Sequence, residues 1–287
     1  MDNSAIRLTR LIRKSGSQQT VKFYYINMGD FMQYSAYTNV GRIRNQNEDC
    51  YMAESLTNNV SLFTVCDGMG GASAGETASA TACAAYHTAM KNALQAQLTA
   101  SHLLTPLNAK LCKRILIDAL NKANADVYQL AKSDTALEGM GTTLVSVLIV
   151  NKTAYIVNVG DSRAYYYKDG ELCQITKDHS YVQYLVDNGM IQPDEAERHP
   201  HKNLITRSVG TSAEITPDLF ALDVRRADAI LLCSDGLTNM VNESEIADVL
   251  ADAEVDFSHK AERLVAKANS HGGTDNITAL VIRTRSK

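Results

Sequence analysis

The stretch TTLVSVLIVNKTAYIVNVGDSRAYYYKDGELCQI, residues 142–175, decides the fold. Consecutive β-forming runs fill it: 142–150, 153–159, 162–168 and 171–175. Asn151-Lys152 and Asp169-Gly170 are two-residue links between such runs. Asp-Gly is among the strongest short hairpin signals, because both positions tolerate positive φ. A two-residue link joins antiparallel strands, whereas parallel strands need a long crossover. The middle of the chain is therefore predicted to be an antiparallel meander, not a βαβ series.

Working outward, VSLFTVC (60–66), AILLC (229–233) and ITALVIR (277–283) read as further buried strands. Residues 76–98 are rich in alanine and have strong helix propensity. Residues 109–131 place Leu111, Ile115, Ala119, Leu120, Ala123, Val127 and Leu130 on one helical face. Asn242, with Glu245 three residues on, resembles a capping box before IADVL. Residues 259–269 form another predicted helix, stopped by Gly272-Gly273. The segment 178–210 carries Gly189, Pro193 and Pro200, and reads as a helix, YVQYLVDNG, plus a surface flap. With no repeat and no clear linker, the pattern predicts one α+β domain with β-sheets covered by helices.

Hydrophobic residues make up 45% of the 287, enough for a sizeable core. The net charge of −4 comes from mixed acidic and basic residues, which argues against a nucleic-acid footprint. It also leaves carboxylates to spare for a hard cation. None of the six cysteines lies in a C-x-x-C pair, and several sit in apolar runs, so a reducing, cytoplasmic compartment is expected. The longest apolar run, LVSVLIV, is far too short to span a bilayer. Residues 1–31 differ from the rest, with Arg7, Arg10, Arg13, Lys14 and Lys22 against Asp2 and Asp30. They read as a basic, disordered extension or as the product of an upstream start codon, with Met32 the natural first residue. Residues 32–287 then form the domain.

Two segments rhyme. Apolar FTVC runs into Asp67-Gly68, and apolar ILLCS runs into Asp235-Gly236. Asp275 precedes a third apolar strand, and Asp49 follows Glu48 in NQNED. A strand holds a carboxylate rigidly, and glycine lets a backbone carbonyl approach a cation. Several such carboxylates can converge on Mg²⁺ or Mn²⁺. Asp-Gly is also a common turn dipeptide, so spacing alone leaves metal ligand and turn both open. DGMGGASAGETAS (67–79) lacks the spacing of nucleotide-binding loops and reads as a tight strand-to-helix turn. Nucleophilic triads find little support: G-x-S-x-G is absent, and the adjacent residues of DHS (178–180) rarely converge as one. His199 and His201 lack an obvious third zinc ligand.

Together the segments VGRIRNQNED (40–49), FTVCDGMGGASAGETAS (63–79), GMGTTLVSVLI (139–149), VNVGDSRAYYYKDGELCQITKDHS (157–180), HPHKNLITRSVG (199–210), LLCSDGLTNMV (231–241) and GGTDNITALVI (272–282) closely resemble the protein phosphatase 2C (PPM) family in its bacterial form. The resemblance covers about residues 38–284, in the family's order. It implies a sandwich of two antiparallel sheets flanked by helices, with two Mn²⁺ or Mg²⁺ ions at one end. It implies that Asp67 bridges both ions, that Gly68 offers its carbonyl, and that Asp235 and Asp275 ligate the second ion. Asp49 and Glu48 would act mostly through water, and Arg44 would grip the substrate phosphate, a role that suits guanidinium. The implied reaction is in-line attack of metal-activated water on phosphoserine or phosphothreonine, with no phosphoenzyme. Some eukaryotic relatives have histidine where Met69 stands, and a thioether cannot protonate the leaving oxygen. Water on a third ion is a candidate acid, held by Asp235 with Asp161, Ser162 or Glu138. The flap, residues 181–208, would shape substrate choice, with His179 and Arg207 organising it. Expected partners are phosphoproteins, either the substrates of a Ser/Thr kinase or the kinase itself, met by a monomer. The rival readings are an inactive phosphatase-like regulatory module and a small-molecule phosphohydrolase.

Overall fold

The computed structural model describes residues 21–22, 32–71, 74–99 and 107–284. Most of the basic extension, 1–20 and 23–31, lies outside them. Val21–Lys22 form a short strand, β1, paired with Tyr34–Asn39 (β2).

Two antiparallel sheets make the centre. The first runs in the order β1, β2, β12 (Ile277–Arg283), β11 (Ala229–Cys233), β8 (Arg163–Lys168), β9 (Glu171–Gln174). The second runs β10 (Asp218–Asp223), β7 (Thr153–Val159), β6 (Leu144–Val150), β4 (Val60–Met69), β3 (Asp49–Thr57). A two-residue strand, β5 (Gly141–Thr142), adds to the end of β4. The expected hairpins close as read: Asn151 and Asp169 both take positive φ, 54° and 51°.

Alternation along the strands sorts side chains into three apolar layers. Phe63, Val65, Val145, Val147, Ile156, Ile230, Leu232, Leu280 and Ile282 meet between the sheets. Over the second sheet lie α1 (Ala74–Thr99) and α2 (Ala109–Ser133). Their buried faces repeat at helical spacing, Ala74, Ala78, Ala82, Tyr86, Met90 and Leu94 on α1, then Cys112, Leu116, Ala119, Ala123 and Val127 on α2. Small residues at 74, 78 and 82 let α1 lie close against β4. Asn108 caps α2, accepting from the Leu111 N–H at 3.0 Å. Over the first sheet lie α6 (Glu243–Ala251) and α7 (Lys260–Ser270). The capping box between Asn242 and Glu245 is present. Each fully buried side chain such as Phe63 or Leu148 contributes roughly 1.5–3 kcal/mol.

The flap begins with α3 (Tyr181–Asp187) and a short helix, α4 (Pro193–Ala196). It is tied down at its base, where Ser180 bridges Ile205 and Val209 bridges Thr142. The strands at 34–39, 49–57 and 218–223 are not among those read from the sequence. Strand β4 also runs past the apolar run to Met69, because β3 and β5 continue to pair with it. Asp67-Gly68 is therefore strand, and not the turn expected there.

Candidate active site

The strand order brings five acidic segments to one end of the sandwich. Asp49 begins β3 directly opposite Asp67 near the end of β4. Asp235 opens the short helix α5 (Asp235–Thr238) just after β11, and Asp275 stands just before β12, the strand paired with β11. Asp161 lies in the turn before β8, on the other side of β11.

Electrostatics shows how close these groups are. Burial raises Asp67 well above the usual carboxylate range, and the charges of Asp49, Asp235, Asp161 and Asp275 raise it further. Burial pushes Asp49 up to about 7 against hydroxyl bonds from Thr278 and Ser234, with Asp235 and Asp275 adding to the rise. Asp161 rises to about 8, through burial and then the charges of Asp235 and Asp178. Asp235, also raised by burial and then by Asp275, shares a hydrogen bond with Asp67. Glu48 is raised by burial, with Arg44 opposing. Such a group of carboxylates repels itself and calls for positive charge. The Oδ1 of Asp49 is buried and has no hydrogen-bond partner.

Backbone and side chains hold these acids in place. Asp67 is gripped at both ends of its peptide unit. Its N–H donates to Thr143 Oγ1 at 2.9 Å, and its carbonyl accepts from Thr142 Oγ1 and the Thr143 N–H, each at 2.8 Å. Thr143 in turn meets the hydroxyl of Ser162 at 2.7 Å. Asn276 staples the 40–48 loop to β12, donating to the carbonyls of Val40 and Gln46 and accepting from the Glu48 N–H. Asn239 donates to Asp235 Oδ2 at 3.0 Å. Gly68 has no room for a side chain: a Cβ there would lie 2.0 Å from the Gly75 carbonyl oxygen.

Of the residues read from the sequence, Asp49, Asp67, Gly68, Asp161, Asp235, Asp275 and Glu48 are brought together. Ser162 joins through Thr143 rather than directly. Arg44 stands half-exposed at the rim and pairs with Asp275 at 2.9 Å. Glu138 does not join: it is exposed, capping the short turn Thr135–Leu137. The DHS residues scatter into separate roles. Asp178 pairs with Arg163 at 2.7 Å, and Ser180 caps α3. His179 accepts from the Gly160 N–H and faces Asp218 at 3.3 Å, while Arg207 holds the other Asp218 oxygen at 3.0 Å. His199 and His201 gather around Tyr181 on the flap.

Sequence reading passed over Thr142, Thr143, Ser234, Asn276 and Thr278. The available signal was a hydroxyl or amide breaking an apolar run beside a candidate ligand, as in CSDG and TDNIT.

The donor set is all oxygen, carboxylates with backbone carbonyls nearby, which suits Mn²⁺ or Mg²⁺ and not a softer metal. Among the described residues no three His, Cys, Asp or Glu side chains close into a ready cage. An open ring of carboxylates fits a small ion that keeps several of its waters.

Comparison with known proteins agrees with this reading. The family model for protein phosphatase 2C matches residues 42–271. The serine/threonine phosphatase stp of Listeria welshimeri is 39% identical over 245 residues, covering 85% of this chain and 93% of that one. The crystal structure of serine/threonine phosphatase Stp1 from Staphylococcus aureus superposes with a TM-score of 0.80 at 32% identity, covering 93% of this chain and 100% of the other. The catalytic domain of the phosphatase PstP, solved in complex with two manganese ions, gives 0.72 at 33% identity, with 88% and 97% covered. With two antiparallel sheets flanked by helices and an acidic centre at one end, the chain belongs to the protein phosphatase 2C family of metal-dependent serine/threonine phosphatases.

Proposed function

We propose that residues 32–287 hydrolyse phosphoserine and phosphothreonine in proteins at the acidic end of the sandwich. The observation that carries this reading is the convergence of Asp49, Asp67, Asp161, Asp235 and Asp275, mutually repelling, with Arg44 as the basic group on their rim. Asp67, Asp235, Asp275 and the Gly68 carbonyl would hold Mn²⁺ or Mg²⁺, with Asp49 and Glu48 acting through water. Bound there, the cations supply Lewis acidity that polarises phosphoryl oxygens and acidifies water. Arg44 leaves Asp275 to pair with the phosphate, placing two donors against two oxygens. The Oδ1 of Asp49 has no hydrogen-bond partner, which leaves it to accept a proton from water at the centre. Met69 supplies no proton, so the leaving oxygen would take its proton from water, with water on a third ion the candidate. No side chain is placed as a nucleophile, and no phosphoenzyme forms. Asp161 and Ser162 are the groups available to a third ion.

The substrates would be proteins phosphorylated by a Ser/Thr kinase, or the kinase itself. None of the six cysteines is in a disulfide, which supports a reducing, cytoplasmic setting, and a monomer suffices because every proposed ligand comes from one chain. No helix among the described residues is long and apolar enough to cross a membrane.

The test compares a phosphothreonine peptide, p-nitrophenyl phosphate and nucleotides, each with Mn²⁺ and with chelator. Mn²⁺-dependent turnover with preference for the peptide is expected. Preference for nucleotides would make it a small-molecule phosphohydrolase, and no turnover by the folded, Mn²⁺-loaded protein would make it a regulatory module.

A further inference from the structure

Between β2, β12 and the start of β3, a chain of hydroxyl and amide groups ends on Asp49. Thr278 Oγ1 donates to Asp49 Oδ2 at 2.7 Å, and Ser234 Oγ donates to the same oxygen at 2.8 Å. Ser234 Oγ also accepts the Thr278 N–H at 3.0 Å. Thr278 Oγ1 lies 2.7 Å from Thr38 Oγ1, its cross-strand neighbour in β2. Asn47 Nδ2 donates to Thr38 Oγ1 at 2.9 Å, and Asn47 Oδ1 accepts the Asp49 N–H at 3.2 Å.

These contacts have one consistent direction. The hydroxyl of Thr278 has a single proton, and Asp49 takes it. Thr38 must therefore be the donor to Thr278, which leaves the Thr38 oxygen to accept from Asn47, as it does. Protons run from Asn47 through Thr38 and Thr278 to Asp49, and Ser234 closes on the same atom. Thr278 and Ser234 are fully buried, with relative exposures of 0% and 1%, so no water competes for these bonds. Both bonds fall on Oδ2, and Oδ1 has none.

We propose that Thr278 and Ser234 are positioning residues that lock the Asp49 carboxylate by Oδ2, so that it addresses the cation site through Oδ1 alone, with Thr38 and Asn47 orienting the Thr278 proton. This rests on the metal-site reading above. Groups that hydrogen-bond a ligating or water-bridging carboxylate set its orientation and its basicity, and their loss weakens metal binding. A threonine in the apolar run Ile277–Ile282 needs such a reason, since a buried hydroxyl is costly when unpaired.

The experiment is calorimetric titration of the full chain, freed of metal, with Mn²⁺, alongside thermal unfolding without metal. Thr278→Val keeps the shape and removes the donor. It should weaken Mn²⁺ binding by about ten- to a hundredfold, while Thr278→Ser, which restores the hydroxyl, should bind near the wild-type level. Thr38→Val should lose less, in the same direction. If Thr278→Val does not fold, Ser234→Ala carries the comparison, with Ser234→Thr as its hydroxyl-restoring partner. Wild-type affinity in the valine or alanine variant would overturn the proposal, as would equal losses in the hydroxyl-restoring variants. Asp235→Asn separates the two layers. If the wild-type chain and Asp235→Asn bind Mn²⁺ alike, the metal site itself is misplaced and the positioning role falls with it. If Asp235→Asn alone loses binding while Thr278→Val does not, only the positioning role is wrong.

Discussion

Asp49, Ser234 and Thr278 lie where solvent barely reaches, whereas Tyr184, Met190 and Leu204 of the flap are 54%, 61% and 53% exposed. The two regions lie on the same end of one molecule and are built by different rules. The acidic groups stand on or beside paired strands, and hydroxyls and amides with no freedom to turn bind their backbones and carboxylates. The flap is closed at its neck by the Ser180–Ile205 bridge and by the Tyr181 N–H donating to the Leu204 carbonyl at 2.8 Å, and is joined to that frame by the Val209–Thr142 bridge. Val182 and Leu185 are buried beneath it, while Tyr184, Met190 and Leu204 face outward. Chemistry that depends on sub-ångström placement sits on rigid elements, and a surface that meets varied partners sits on a loop.

The comparison breaks most visibly at Asp235. Asp235→Asn keeps the hydrogen bond to Asn239 within reach, so the fold should survive. It removes a charge from the proposed second-ion site, and Mn²⁺-dependent turnover should drop by more than about a hundredfold. Turnover of p-nitrophenyl phosphate, with circular dichroism as the fold control, measures this. Activity within reach of wild type would remove Asp235 from the ligand set.

The acidic end should also announce itself in stability. Asp49 and Asp161 are raised to about 7 and about 8 in the folded, metal-free chain, and return to the ordinary carboxylate value on unfolding. Between those values the folded state binds more protons than the unfolded state, so stability falls as pH rises. The metal-free chain should lose about 5 °C or more of its melting midpoint between roughly pH 5 and pH 8. Mn²⁺ requires these groups deprotonated, so its affinity should rise over the same window and its presence should flatten the slope. A metal-free midpoint that climbs with pH would show that the carboxylates do not crowd one another.

At the rim the effect should be smaller and of another kind. Arg44→Ala removes the charge-assisted bonds to phosphate but leaves every proposed ligand in place. KM should rise about tenfold with kcat less affected. The loss should appear in steady-state kinetics with a phosphothreonine peptide, and an unchanged KM would deny Arg44 the phosphate role.

The contrast between centre and periphery also governs what was legible in the sequence. β4, β6, β7, β11 and β12 are covered on both faces, and their near-continuous apolar runs are plain. β3 and β10 are the edges of their sheet. On β3, Cys50, Met52 and Leu56 turn toward the helices while Tyr51 and Ala53 turn toward the other sheet, but all are only half-buried, and Glu54, Ser55 and Thr57 dilute the alternation. β9 is an edge as well, yet Asp169-Gly170 gives it away through the turn. The ligands proposed for the centre were visible because each abuts an apolar run. Thr278 and Thr143 were not, since a threonine in a strand looks like any other β-former until its hydroxyl is seen to have a partner. Glu138 presents the opposite case: family position suggested it, but it is exposed and caps the turn Thr135–Leu137.

The smallest effect expected on chemistry, and the sharpest test of the comparison, belongs to the flap. Leu204 and Met190 are exposed, so replacing both by serine should leave fold and Mn²⁺ affinity alone. Surface substitutions of this kind usually change stability by less than about 0.5 kcal/mol. p-Nitrophenyl phosphate is too small to reach beyond the acidic centre, and its turnover should stay near wild type. If a phosphoprotein lies across the flap, burying two apolar side chains against it contributes binding energy that the serine variant lacks. KM for a folded phosphoprotein should therefore rise by about three- to tenfold while the small substrate is unaffected. Equal losses on both substrates would mean that the flap shapes the centre through Thr142 and Val209. No loss on either would mean that protein substrates approach from the Arg44 side.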